Sequence, residues 1–248
     1  MEQARVRVGL KVWDDQVEMD LTLPSGPARL DSLLPVFQRV ADGFVDLAVE
    51  RARAEGRTVS CRKGCGACCR QLVPISEVEA RRIGRLVEEL PEPRRREVRE
   101  RFARARERLA AAGLLAKLED RESFADGDSL SFGRAYFQLG IPCPFLDDES
   151  CSVHADRPIA CREYLVTSPA ANCADPKPGV IDMVELPGKV WTALARAETP
   201  GRASRFIAWV PLVLAPDWAS THPDMSEPRP VEDVFRSVLS HFAGRGGA

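Results

Sequence analysis

The sequence predicts an α+β fold: a mainly helical single domain with a small sheet. Three observations lead there: two short alternating runs near the N-terminus, several stretches with helical apolar spacing, and four of the eight cysteines crowded into residues 61–69. At 248 residues the chain is long enough to bury a core without staples, so cysteine is not needed to hold up a tiny scaffold. One domain over 1–248 is expected, with a cysteine-cluster core at about 58–175. The N-terminal hairpin and helix at 5–55 and C-terminal strands and a helix at 180–243 flank it.

The elements follow in order. Val6, Val8, Leu10 and Val12, then Val17, Met19, Leu21 and Leu23, alternate with polar residues around an Asp14-Asp15 turn, which is a hairpin signal. Pro24-Ser25-Gly26-Pro27 breaks the pattern. Leu30, Leu33, Leu34, Phe37, Val40, Phe44, Leu47 and Ala48 then sit at helical spacing and predict an amphipathic helix over about 29–55.

After the cysteine loop, Ser76-Glu77-Val78-Glu79 has capping-box spacing and opens a helix that Pro91 and Pro93 end. A further helical pattern covers 94–118. Residues 119–140 read as a loop anchored by Phe132, Tyr136 and Phe137, or as a loop with a short strand. Val180–Leu186 reads as a strand, Lys189–Ala197 as a short helix, and Phe206–Leu214 as a strand that Pro211 pushes to an edge or bulge. Val231 to Phe242 reads as a helix stopped by Gly244, followed by a loose tail. The small sheet is expected from the hairpin and the strands at 180–186 and 206–214.

The net charge is -2 and the pI about 6.0, so no overall basic field argues for nucleic acid or an anionic membrane. The arginines of 94–108 could track phosphates. Interleaved Glu97, Glu100 and Glu107 at i,i+3 and i,i+4 spacing, and a polar face without aromatics, favour a solvated helical face. The N-terminus lacks the apolar core of a signal peptide, and no run reaches the ~18 apolar residues of a membrane span. A cytoplasmic, soluble protein is expected. In that reducing compartment eight cysteines point to metal or redox chemistry; four disulfides would be the reading only for an exported chain.

Packing does not account for the loop Cys61-Arg62-Lys63-Gly64-Cys65-Gly66-Ala67-Cys68-Cys69-Arg70. A free cysteine behaves as a small apolar residue, and a charged, glycine-containing loop offers it no core. Cys-x3-Cys-x2-Cys turns let sulfurs converge on one ion or cluster, so the fold is expected to be organised around a cysteine-rich metal site. Gly64 and Gly66 would allow positive φ and leave backbone N–H groups facing thiolates. Arg62, Lys63, Arg70 and Arg162 would offset excess negative charge.

Cys68 and Cys69 are neighbours whose side chains tend to diverge, so one of them is available to a second centre. Cys143, Cys151, Cys161 and Cys173 supply the remaining sulfurs. The candidate metal ligands are therefore Cys61, Cys65, Cys68, Cys69, Cys143, Cys151, Cys161 and Cys173. Two four-ligand sites and mixed assignments both fit, because spacing does not give connectivity. His154 is read as a neighbour of the site before a ligand, and His222 and His241 as ordinary. A Cys161–His154 nucleophile pair lacks a visible oxyanion site.

The residues Cys61-x3-Cys65-x2-Cys68-Cys69, Pro142-Cys143-Pro144-Phe145-Leu146 and Cys151-x-Val153-His154-x2-Arg157-Pro158-x2-Cys161-Arg162 resemble the YkgJ-type cysteine-cluster family, described as zinc- or iron-chelating. The resemblance covers about 58–175, and Cys173 matches a later family cysteine. It implies metal binding by these cysteines, as zinc or an iron-sulfur cluster, and a packing and charge-balancing role for Arg157 and Arg162. It also brings in a catalytic relative, the flagellin lysine N-methylase, which carries a similar domain.

The expected function is thus a metal-binding protein with a structural, sensing or carrier role, whose partners are the metal and, left open, another protein. The alternative is an iron-sulfur enzyme moving a methyl group from S-adenosylmethionine to a protein lysine. The x3, x2 cysteine spacing resembles the cluster loop of radical S-adenosylmethionine enzymes, but no series of strand-helix units surrounds it. No G-x-G-x-x-G follows a strand, which disfavours a Rossmann methyltransferase.

Overall fold

Alternating valines and leucines pair as their period requires. In the computed structural model, which describes residues 3–13, 15–120, 129–177, 179–198 and 207–242, β1 (Gln3–Val12) and β2 (Asp15–Pro24) form an antiparallel hairpin. Its register sets Val6 against Leu21 and Leu10 against Val17. Of the expected turn residues, Asp14 lies outside the described residues, and Asp15 is not in the turn but opens β2, paired with Val12. β3 (Pro27–Ala28) leads into α1 (Leu30–Ala54), whose stripe Leu33, Phe37, Val40, Ala41 and Phe44 is buried.

That stripe packs on Val12, Leu21 and Leu23 of the hairpin and on two late helices, α7 (Val190–Ala197) and α9 (Val231–Leu239). Phe37 stacks on Phe235 with ring centroids 5.6 Å apart. α9 ends at Leu239 rather than at Phe242; the Phe242 ring meets Phe44 edge-on at 5.7 Å from the turn beyond the helix. Gly244 and the tail lie outside the described residues.

α2 (Glu77–Glu89) opens with the predicted capping box: the Ser76 hydroxyl accepts from the Glu79 N–H, and the Glu79 carboxylate accepts from the Ser76 N–H at 3.0 Å. Glu79 is buried and also accepts from the Ile159 N–H at 2.6 Å. A capping residue thereby holds the start of α6 (Ile159–Arg162), the helix that carries Cys161. α3 (Arg94–Ala111) buries Val98, Phe102, Ala105 and Leu109. Its arginines meet acidic partners: Arg94 pairs with Glu97 at 2.7 Å, as the interleaving predicts, while Arg101 and Arg106 reach outside the helix to Asp147 at 2.6 Å and Glu119 at 2.7 Å.

Four expectations fail. Within 119–140, residues 121–128 lie outside the described residues, but Ser129–Gln138 is a helix, α5, following the short α4 (Leu115–Glu119). Phe132 and Tyr136, four apart, lie on one helical face and bury against Leu109, Leu118 and Val213. Val180–Leu186 is not a strand: one bridge joins Val166 and Met183, and Val180 and Met183 are exposed, so no buried face selects an extended pairing.

The strand expected over 206–214 shrinks to β7 (Val210–Pro211), because Pro211 has no N–H to give and Leu212–Leu214 winds into a 3-10 turn. Phe206 lies outside the described residues. The expected common sheet is absent. Among the described residues strands pair only two by two: β1 with β2, β3 with β8 (Arg229–Pro230), β4 (Pro74–Ile75) with β7, and β5 (Leu146–Asp147) with β6 (Ser150–Cys151). A mainly helical α+β fold stands; no helix of the described residues is long and apolar enough to cross a membrane.

Candidate metal centre

The first cysteine segment is a turn followed by a 3-10 helix. Gly64 takes φ 83°, the left-handed conformation that lets the Cys65 N–H reach the Arg62 carbonyl at 3.1 Å. Ala67–Arg70 then winds into the 3-10 turn that holds Cys68 and Cys69. Gly66 departs from expectation: its φ is −94°, and its value lies in close approach. A Cβ there would stand 2.8 Å from Leu146 Cδ1 and 3.1 Å from Glu149 Cα.

The second segment comes to it as a hairpin. β5 and β6 pair Leu146 with Cys151, and the turn between them places Asp148 and Glu149 at φ 45° and 57°, the left-handed pair of a two-residue hairpin turn. That turn delivers Glu149 to Arg70, with Nη2 to Oε1 at 2.5 Å and Nη1 to Oε2 at 2.9 Å, while Arg70 Nη1 also donates to the Gly66 carbonyl at 2.9 Å. At the other end of the hairpin, the Cys143 N–H donates to the Cys69 carbonyl at 2.7 Å.

The third contribution is the short 3-10 turn Ala170–Ala174, carrying Cys173, which packs on the Ala67–Arg70 turn. Tyr164 lies beside the cluster: its hydroxyl accepts from Gln71 Nε2 at 3.1 Å. The Ser60 N–H donates to the Val166 carbonyl at 2.9 Å. Residues 61–69 and 143–173, more than seventy positions apart in sequence at their nearest ends, therefore form one neighbourhood.

All eight cysteines are free thiols; Cys61 is exposed, Cys173 buried, the others between. Burial pushes the thiols of Cys61, Cys151 and Cys173 up, that of Cys143 to about 12, and that of Cys161 well above its ordinary value. Cys68 is raised too, by the neighbouring Cys69 thiol and then by burial. Arg157 acts the other way on Cys61, Cys68 and Cys151, and Arg101 does so on Cys143. As they stand, no three or more His, Cys, Asp or Glu side chains among the described residues are grouped so as to hold a metal ion.

The donor chemistry nonetheless fits a soft metal. The donors are all sulfur, enough for tetrahedral thiolate coordination, and the buried Nε of Arg157 has no hydrogen-bond partner among the described residues. An anionic metal–thiolate centre is the partner such a cation needs. Arg162 works differently from the expected charge balance. Its guanidinium spans Asp42 of α1 (Nη1 to Oδ2 2.8 Å) and the carbonyls of Arg157 (3.0 Å) and Ala155 (2.5 Å), tying the second cysteine segment to the first helix.

His154 is exposed, held below its ordinary pKa by Arg157 and then by burial. His222 stacks on Trp218 with ring centroids 4.4 Å apart. Sequence reasoning missed Tyr164, Gln71 and the Arg70–Glu149 pair; Tyr164, three residues past Cys161, offered only that proximity as a signal.

Structure and sequence together bring the two cysteine segments into one neighbourhood. Residues 60–177 match the model of the CxxCxxCC family, whose description reads "Putative zinc- or iron-chelating domain", in agreement with the resemblance the motif carries. No curated protein and no solved structure matches the chain.

Proposed function

We propose that the protein binds zinc or iron, the latter as ions or an iron-sulfur cluster, through Cys61, Cys65, Cys68, Cys69, Cys143, Cys151, Cys161 and Cys173, and that the bound metal serves a structural, sensing or carrier role. The observation that carries this reading is the meeting of the two cysteine segments at the Cys69–Cys143 hydrogen bond and the Gly66–Glu149 contact. Bound metal would supply folding free energy by locking that meeting, since thiolate ligands are not pre-arranged in an unfolded chain. The chain's own part is to bring the thiols close, to seat Arg157 beside them, and to let the side chains close further as their protons leave.

The chain is read as one domain over 1–248 working in a reducing cytoplasm, where the thiols stay available. Methyl transfer to a protein lysine draws no support from the described residues. The test is elemental analysis of full-length, untagged protein purified without air. Stoichiometric zinc, or iron with acid-labile sulfide, supports the reading; a protein free of both that also takes up neither in reconstitution overturns it.

A further inference from the structure

Three buried carboxylates tie three helices into a ring. Glu79, in the first turn of α2, accepts from the Ile159 N–H at 2.6 Å and so caps α6. Glu163, just past the end of α6, accepts at 2.5 Å from the Val190 N–H, the first of α7. Glu198, just past the end of α7, accepts at 2.9 and 2.7 Å from the Glu77 and Val78 N–H groups, the first two of α2. The circuit closes on the helix where it began.

Each of these N–H groups lies in the first turn of its helix and has no partner within that helix, so a carboxylate from elsewhere is the acceptor it needs. Water does not substitute freely: Glu79 and Glu163 are 2% and 1% exposed, and the Glu198 side chain 8%. Losing one contact therefore strands buried donors and a buried acid together. The helix that depends most on the ring is α6. At four residues it is too short to form alone, yet it carries Cys161. Its other anchor is Arg162, bound to Asp42 of α1.

Resting on the metal-binding reading above, we infer that Glu79, Glu163 and Glu198 are positioning residues for Cys161: the ring they close holds α6 in the orientation in which its thiol meets the metal. Glu198 acts through the other two, since among the described residues its hydrogen bonds run to α2. Coupling between binding events runs both ways. Metal on Cys161 accordingly tightens all three joints, including those on the far side of the ring.

The test uses the full-length protein, reduced and stripped of metal without air, with Zn(II) as the probe and Fe(II) with sulfide in its place should zinc not bind. Affinity is read by competition with a chromophoric chelator. Glu198→Ala should bind at least about 10-fold more weakly, the loss seen when an outer-shell partner is removed. Glu198→Gln, which keeps one acceptor oxygen, should fall between it and the parent. Leu118→Ala truncates the core around Phe132, outside the ring. It should lower the unfolding midpoint yet bind as the parent does, because global stability does not enter the affinity of a chain already folded. In the parent, metal loading should slow amide exchange, followed by NMR, at Ile159, Val190, Glu77 and Val78 together.

Parent-like affinity in Glu198→Ala, an equal loss in Leu118→Ala, or slowing confined to Ile159 overturns the ring while leaving metal binding intact. Uptake of neither probe by the parent overturns the metal-binding reading itself.

Discussion

The Cys143 N–H donates to the Cys69 carbonyl at 2.7 Å. This bond stitches the end of one cysteine loop to the start of the other, and Gly66, three residues earlier, lies against the Leu146 and Glu149 side of the same hairpin. Gly66→Ala forces Leu146 or the hairpin backbone to shift. The expected cost is about 1–3 kcal/mol, as for other overpacked sites, measured by denaturant unfolding, with weaker metal retention in parallel. A variant as stable as the parent would show that the approach is not tight.

Cys65→Ser and Cys161→Ser each remove a proposed ligand, one from either cysteine segment. Both should bind less metal and unfold at lower temperature, with affinity losses larger than the about 10–100-fold seen when an outer-shell partner is removed. Metal analysis and thermal melts of the two variants read this out. Full metal content in both contradicts the ligand set.

Thiol reactivity should follow exposure in the reduced, metal-free protein. Cys61 is exposed and Cys173 buried, and both thiols are raised above their ordinary pKa chiefly by burial, so access decides the order. Mass spectrometry during limited alkylation with N-ethylmaleimide should find Cys61 labelled well before Cys173. Metal loading should protect both.

Arg162 holds three partners that a lysine cannot reach together: Asp42, the Arg157 carbonyl and the Ala155 carbonyl. Its side chain is 8% exposed while that of Asp42 is 46% exposed. Arg162→Lys should therefore cost about 2–3 kcal/mol, less than the about 3–5 kcal/mol of a fully buried pair. Chemical denaturation measures it, and a loss below about 0.5 kcal/mol, the scatter of ordinary surface substitutions, would contradict the assignment.

Glu198, at the end of α7, accepts from the Glu77 and Val78 N–H groups at 2.9 and 2.7 Å and so caps α2 from another part of the chain. Burial, with repulsion from Glu77, raises its carboxyl from 4.5 to about 8. Between those values the folded state binds more protons than the unfolded one. Stability from this group is thus fully present at low pH and is lost as pH rises toward 8, by up to about 1.4 kcal/mol per pH unit. Unfolding curves from pH 5 to 8 should show a shallower fall for Glu198→Gln than for the parent, and equal slopes would count against the shift.

Local signals were legible in the residues themselves. The hairpin, the span of α1 and the Ser76 capping box follow from period and hydrogen-bonding chemistry that act within a few residues. The helix around Phe132 and Tyr136 was not legible, because two aromatics four apart also fit a loop until Leu109, Leu118 and Val213 cover one face. The strands at 180–186 and 206–214 failed for the converse reason. Their apolar content suggested pairing, but exposure at Val180 and Met183 and the missing N–H of Pro211 left little for a sheet to bury or bond.

The cysteine motif by itself determined that thiols would crowd a turn and that a soft metal suits them, since residue type and spacing carry that chemistry. Only the tertiary structure decided which cysteine segments become neighbours: the 3-10 turn of Cys173 packs on the turn of Cys68 and Cys69, and Cys143 joins Cys69 through one backbone hydrogen bond. Spacing along a chain limits reach over a few residues. Across more than seventy, proximity is set by the burial and hydrogen bonding of everything between.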